Sequence, residues 1–272
     1  MVGRCGATAA MCHPSFTVRD VFVKPAPYAG NQRPPEAGLI DKTLSSCREA
    51  VSKVFDGATI MLGGFGNAGM PGQLIEALRE HGARNLTIVS NGAGTGPFAL
   101  GSLFGDGLVR KLVASFPAPS AAQFRERYLK GEVELELVPQ GTLVERIRCG
   151  GCGLGGFYTP TGVGTELAEG GEVRMIEGRE YLFALPLKAD FALLKGHLGD
   201  RFGNLMYRGT MRNFNMVMAT ACTTVIAEVD RVVPAGDIPP EQVHTPGIFV
   251  DHLVQVERHP KLLEVPKTGG AA

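Results

Sequence analysis

The sequence predicts an α/β fold: an open, mainly parallel sheet flanked by helices, with a small hairpin insertion. Three observations carry this. Short apolar runs at 59–62, 86–89, 108–114 and 133–138 alternate with stretches of helical periodicity, the spacing of parallel βαβ units. Glycine-rich loops follow the first two runs, at Gly63–Gly69 and Asn91–Gly96. Val173–Ile176 and Tyr181–Leu185 flank Glu177-Gly178, which reads as a hairpin.

In chain order, Leu44, Cys47, Val51 and Val54 recur at helical spacing, with Asp41 as the expected cap and Asp56-Gly57 as the stop. Pro71 opens a second helix that Gly82 ends. Shorter helices are expected around 98–103, 121–129 and 142–148, the last after a turn at Pro139-Gln140-Gly141. Phe191–Lys195 and Thr223–Val229 read as further core strands. Residues 1–38 are rich in proline and glycine. They read as a disordered leader, or a start codon placed early, more than as a transit peptide. Residues 39–256 form the single expected domain and 257–272 a tail.

Lys plus Arg and Asp plus Glu balance at 27 each, so no net field draws nucleic acid or an anionic membrane. No apolar stretch approaches the roughly 20 residues that span a bilayer. Six scattered cysteines fit reduced thiols and a cytoplasmic location. Cys149 and Cys152 form a C-x-x-C without a second pair or ligand-spaced histidines, so no metal site is expected. Glu132, Glu134 and Glu136 alternate with apolar residues and read as a solvated strand face. The six histidines have no Ser or Cys partner that sequence can place, so no hydrolase triad is supported.

The chemistry concentrates in Gly63, Gly64, Phe65, Gly66, Asn67, Ala68 and Gly69. Gly64 to Gly69 spell G-x-G-x-x-G between a strand and a helix, the dinucleotide fingerprint. The acidic residue that should end the next strand is missing, because that strand closes Ser90-Asn91-Gly92. A nucleotide-binding oxidoreductase therefore remains a secondary reading, as does a non-catalytic ligand-binding module on the same fold. The loop physics stands without the fingerprint: glycines let backbone amides approach a ligand, and the following helix N-terminus favours an anion. A tight turn that needs glycine for packing alone is the alternative.

The string Asp56 to Gly66, closed by Gly69-Met70-Pro71, resembles the A (alpha) subunit of family I, 3-oxoacid-type CoA-transferases. The resemblance continues in order through Leu86–Asn91, Glu134–Leu143, Phe157–Gly162, Asp200–Leu205, Arg212–Asn215 and Thr245–Val250. It implies an enzyme that moves CoA from an acyl-CoA, typically succinyl-CoA, to a 3-oxo acid. It implies coenzyme A as co-substrate and no permanently bound cofactor. It also implies a partner, the B (beta) subunit of a CoA-transferase heteromer, whose Glu-Asn-Gly loop supplies the nucleophile. No Glu-Asn-Gly occurs in this sequence. By the same resemblance the glycine loop binds acyl-CoA, Asn91 and Gly92 sit near substrate, and Gln140 supports the developing oxyanion. The family pattern reads Asn-Asn-Ala-Gly where this chain has Asn91-Gly92-Ala93-Gly94, also a good turn pair. Residues 109–111, 115–117 and 187–191 resemble the 3-oxoadipate branch more than the acetoacetate one.

Overall fold

The computed structural model describes residues 40–94, 96 and 98–257. The expected leader lies outside the described residues, as does the expected tail apart from Glu257. Strands are β1 (Thr43–Leu44), β2 (Thr59–Leu62), β3 (Leu86–Gly92), β4 (Val109–Phe116), β5 (Glu134–Leu137), β6 (Phe157–Thr159), β7 (Val173–Ile176), β8 (Arg179–Ala184), β9 (Ala189–Asp200), β10 (Leu205–Met206), β11 (Cys222–Val233) and β12 (His252–Gln255). Helices are α1 (Cys47–Val51), α2 (Gly72–His81), α3 (Leu100–Gly105), α4 (Ala122–Leu129), α5 (Gln140–Cys152) and α6 (Asn213–Met218).

The main sheet runs β1-β12-β11-β9-β2-β3-β4-β5 with every pairing parallel; only β10, added to β9, is antiparallel. Side chains alternate along each strand, so each central strand feeds two cores. Ile60, Leu62, Ile88, Leu112 and Leu193 pack with Leu74, Leu78, Leu103 and Phe124 from α2, α3 and α4 on one face. Met61, Val89, Val113, Ala192 and Leu194 pack with Leu143, Ile147 and Phe214 from α5 and α6 on the other. Burial on both faces explains why these strands read as continuous apolar runs.

The structure corrects three local readings. Asp41 does not cap a helix: its carboxylate accepts from Thr43 N and Oγ1 at 2.9 and 2.6 Å. Leu44 lies in β1, paired with Val254, and Ser46 caps α1 through Glu49 N. That edge pairing joins segments some two hundred residues apart, so no local pattern reveals it. Second, the helix expected at 142–148 spans Gln140–Cys152. Glycine is tolerated in its last turns because it must be small there: a Cβ on Gly150 would stand 2.2 Å from Leu187 O, and one on Gly151 2.2 Å from Thr220 Oγ1. Cys149 and Cys152 therefore ride on a helix, both as free thiols. Third, the hairpin pairs with β6 to make a separate three-stranded sheet, β6-β8-β7.

The acids of β5 are ion-paired. Glu136 meets Arg146 at 2.7 Å and Lys111 at 2.9 Å, and Glu134 meets Lys111 at 2.9 Å. Burial works against ionisation of Glu136, yet the two cations outweigh it and hold the carboxyl below its usual range. Charge on this edge strand also discourages pairing with another chain.

Candidate active site

The C-terminal ends of β2, β3, β4 and β5 deliver four segments to one edge of the sheet, where open α/β folds place ligands. Gly63 N continues the ladder by donating to Leu193 O at 3.0 Å. The chain then turns back between Phe65 and Ala68, which exchange backbone hydrogen bonds at 3.0 and 3.1 Å. Gly66 takes φ +57° in that turn and Gly64 takes φ +118°, conformations that L side chains rarely adopt. A Cβ on Gly64 would also stand 3.1 Å from Met70 N.

The N-terminus of α2 is not open to an anion as the sequence implied. Pro71 makes no side-chain cap. Instead the carboxylate of Glu228, from β11, accepts from Gln73 N at 2.9 Å and Leu74 N at 2.8 Å. Any anion held by the glycine loop must therefore use the loop's own amides. Glu228 is only 2% exposed; burial pushes its pKa up, while Lys195 and the two amides favour its charged form. Lys195 bridges Glu228 at 3.4 Å and Asp230 at 2.8 Å, and Asp230 also meets His197 at 2.9 Å. Burial of Asp230 opposes its ionisation, but these two partners hold its carboxyl below the usual range.

A cleft of about 530 Å³ opens among the strand ends, lined by Gly64, Phe65, Gly66, Asn91, Gly92 and Gln140. Six of the residues singled out from sequence thus share one cavity, though they are spread over 77 positions (64 to 140). Asn91 is nearly buried, and Ser115 Oγ lies 2.9 Å from both its backbone and side-chain oxygens. Gln140 is the first residue of α5, exposed at the rim, not a turn residue before the helix. Gly92 pairs with Phe116 across β3 and β4, and a Cβ there would stand 2.8 Å from Phe116 O. An asparagine at this position would force the two strand ends apart, so glycine has a packing reason. Asn67, Ala68 and Gly69 do not face this cleft: they line a neighbouring cavity of about 440 Å³ with Lys195, Glu228 and Asp230. Gly63 lines neither.

No Asp, Glu, Lys, Arg or His is among the described residues lining the larger cleft. It offers amides, hydroxyls and backbone donors, and no nucleophilic carboxylate. Among the described residues no cluster of His, Cys, Asp and Glu is fit for a metal. No described helix is long and apolar enough to cross a membrane.

Residues 44–256 match the family model described as coenzyme A transferase. The chain belongs to this family. Over 219 residues, 80% of this chain and 95% of the relative, it is 54% identical to the A subunit of 3-oxoadipate CoA-transferase from Pseudomonas putida. Over 232 residues, 85% of this chain and all of the relative, it is 40% identical to the A subunit of succinyl-CoA:3-ketoacid coenzyme A transferase from Helicobacter pylori J99. Its fold matches an acyl-CoA transferase from Escherichia coli O157:H7 with a TM-score of 0.74 at 21% identity. That match covers 83% of this chain and 49% of the other, so this chain spans about half of that protein's length.

For a CoA-transferase chain, the sequence reading missed several cleft residues. Ser90, Ser115, Phe116 and Ala118 all line it. Ser115 and Phe116 close β4, and the rule that open α/β sheets bind ligands at strand ends would have nominated them. Glu228 gave no signal, because a lone acid in an apolar strand does not announce what it caps.

Two glycines separate backbone strain from ligand contact. Gly66 and Gly82 both take positive φ, +57° and +79°, and a Cβ on either meets nothing within 4 Å. Alanine at each should cost a similar ~1–2 kcal/mol of stability through φ alone. Gly66→Ala should in addition lower CoA transfer in the assembled enzyme, measured well below both melting temperatures. Equal turnover in the two variants would return the loop to a packing role.

Proposed function

We propose that this chain is the A subunit of a heteromeric CoA-transferase that moves CoA from succinyl-CoA to a 3-oxo acid, 3-oxoadipate first and acetoacetate second. The observation that carries the reading is the cleft: its position at the strand ends and its hydrogen-bond donors suit a thioester, yet its described lining holds no carboxylate. The nucleophile then comes from a B-type partner, in line with the relatives' names. In this reading a partner glutamate attacks the thioester carbon and CoA leaves as thiolate, giving an acyl-glutamyl anhydride. The thiolate then attacks the glutamyl carbonyl, releasing succinate and leaving CoA on the enzyme as a glutamyl thioester. The 3-oxo acid reverses both steps.

Gln140 at the rim of the cleft donates to the oxygen where negative charge gathers. The backbone of Gly64–Gly66 lies against the acyl-CoA, and Asn91 and Gly92 floor the site. Coenzyme A enters and leaves as substrate, and no cofactor stays bound. Phe65 and Phe116, 49% and 63% exposed at the cleft, suit coverage by the partner. The four described cysteines are free thiols, which fits a cytoplasmic location.

The substrate assignment is tested by competition. Reconstituted with its B-type partner and given equal 3-oxoadipate and acetoacetate, the enzyme should convert 3-oxoadipate with the higher kcat/KM. A preference for acetoacetate would reverse the order.

A further inference from the structure

The ends of the glycine loop are held from outside it. Asn215, on α6, is completely buried and lines neither cavity. Its Nδ2 donates to Gly69 O at 2.9 Å and to Met211 O at 2.8 Å, while its Oδ1 accepts from Lys195 N at 2.9 Å. Both amide hydrogens and the oxygen are thus used, and reversing the amide would set like groups against each other at all three contacts. The fit around it is closed. A Cβ on Gly63 would lie 1.9 Å from Asn215 Oδ1, and one on Gly69 2.7 Å from Nδ2. Two residues earlier, Asn213 Nδ2 donates to Ala68 O at 2.9 Å and Thr210 O at 2.7 Å.

The two ends of the loop, Gly63 and Gly69, therefore close around one side chain. The segment between them contains Gly64, Phe65 and Gly66, which face the cleft. We propose that Asn215, assisted by Asn213, is a positioning residue for CoA transfer: it clamps the glycine loop so that its cleft-facing backbone meets the acyl-CoA. Gly63 is glycine to admit this amide, not a ligand; Gly69 is glycine for its φ of +73° and for the close approach of Met211 O as well as of the amide. The proposal rests on the reading above in one respect, that the loop contacts acyl-CoA.

The test uses the enzyme assembled with its partner and four variants: Asn215→Ala, Asn215→Asp, Gly63→Ala, and the double variant Gly63→Ala with Asn215→Ala. Gly63→Ala alone should lower the melting temperature strongly, because its methyl overlaps the amide. In the double variant the methyl fills vacated space, so the melting temperature should recover above that of Gly63→Ala. Asn215→Ala should lower kcat/KM for succinyl-CoA by about 10²-fold with assembly intact, the loss expected when a contact group shifts by about 1 Å. Asn215→Asp keeps the volume and the acceptor for Lys195 N but loses both donors, so it should fall as far as Asn215→Ala.

A double variant no more stable than Gly63→Ala would overturn the clamp geometry. Wild-type kcat/KM in Asn215→Ala, alongside impaired Gly66→Ala, would overturn the positioning role. If only the acyl-CoA contact were wrong, Gly66→Ala would keep full turnover while the stability rescue persisted; the positioning claim would then fall and the packing result would stand.

Discussion

Given succinyl-CoA and a 3-oxo acid, the purified chain alone should fold and transfer no CoA. Thioester exchange by this route needs a carboxylate held against the acyl carbon, and free carboxylates attack thioesters poorly without positioning. The described lining of the cleft provides none. The nearest equivalent of a Glu-Asn-Gly loop, Ser90-Asn91-Gly92, carries a hydroxyl where the glutamate would stand. Addition of the B-type partner should bring activity from background to full turnover. Hydroxylamine added with acyl-CoA should then modify a glutamate in the partner only. Turnover by the isolated chain, or an adduct on one of its own carboxylates, would defeat the half-site reading.

Gln140→Ala should lower kcat by roughly 10²-fold or more, the range for loss of a donor to a developing oxyanion. The side chain makes no hydrogen bond to any described residue, stands at the rim of the cleft, and opens α5 without capping it. Truncating it therefore removes no structural partner, and melting temperature and assembly should hold. Sizing chromatography and a melt establish that control, and steady-state kinetics reads the effect. An unchanged kcat would leave Gln140 as an ordinary first residue of a helix.

Much of the fold was legible because its central strands are buried on both faces and α2 carries an ordinary glycine stop. Gly82 ends α2 in the left-handed conformation, as the sequence implied. What escaped were elements defined by distant partners. β1 is a two-residue edge strand that exists through β12, and the short β12 through β1 and β11. The end of α5 was hidden because glycine normally argues against helix, whereas Gly150 and Gly151 answer to close neighbours at Leu187 and Thr220. In the candidate site, the loop chemistry pointed to the glycine loop, and the family likeness pointed to Gln140 and Asn91, which line the same cleft as Gly64, Phe65 and Gly66. They did not divide that loop between two cavities, since which way a tight turn faces depends on what fills its inside. The Arg212–Asn215 motif was visible as a string, but its task was not.

Glu228 gives the loop an unusual mechanical footing. The loop leaves β2 through a bond to Leu193 on β9, and the helix after it is tied to Glu228 on β11. β9 and β11 pair from Ala189 to Asp200, so both moorings belong to a single stiff plank. A segment so rich in glycine would ordinarily exchange its amide hydrogens within moments. Here Gln73 and Leu74, at the start of a helix where fraying is the rule, should be among the slowest amides to exchange outside the strands. Their protection should fade only when the plank itself opens.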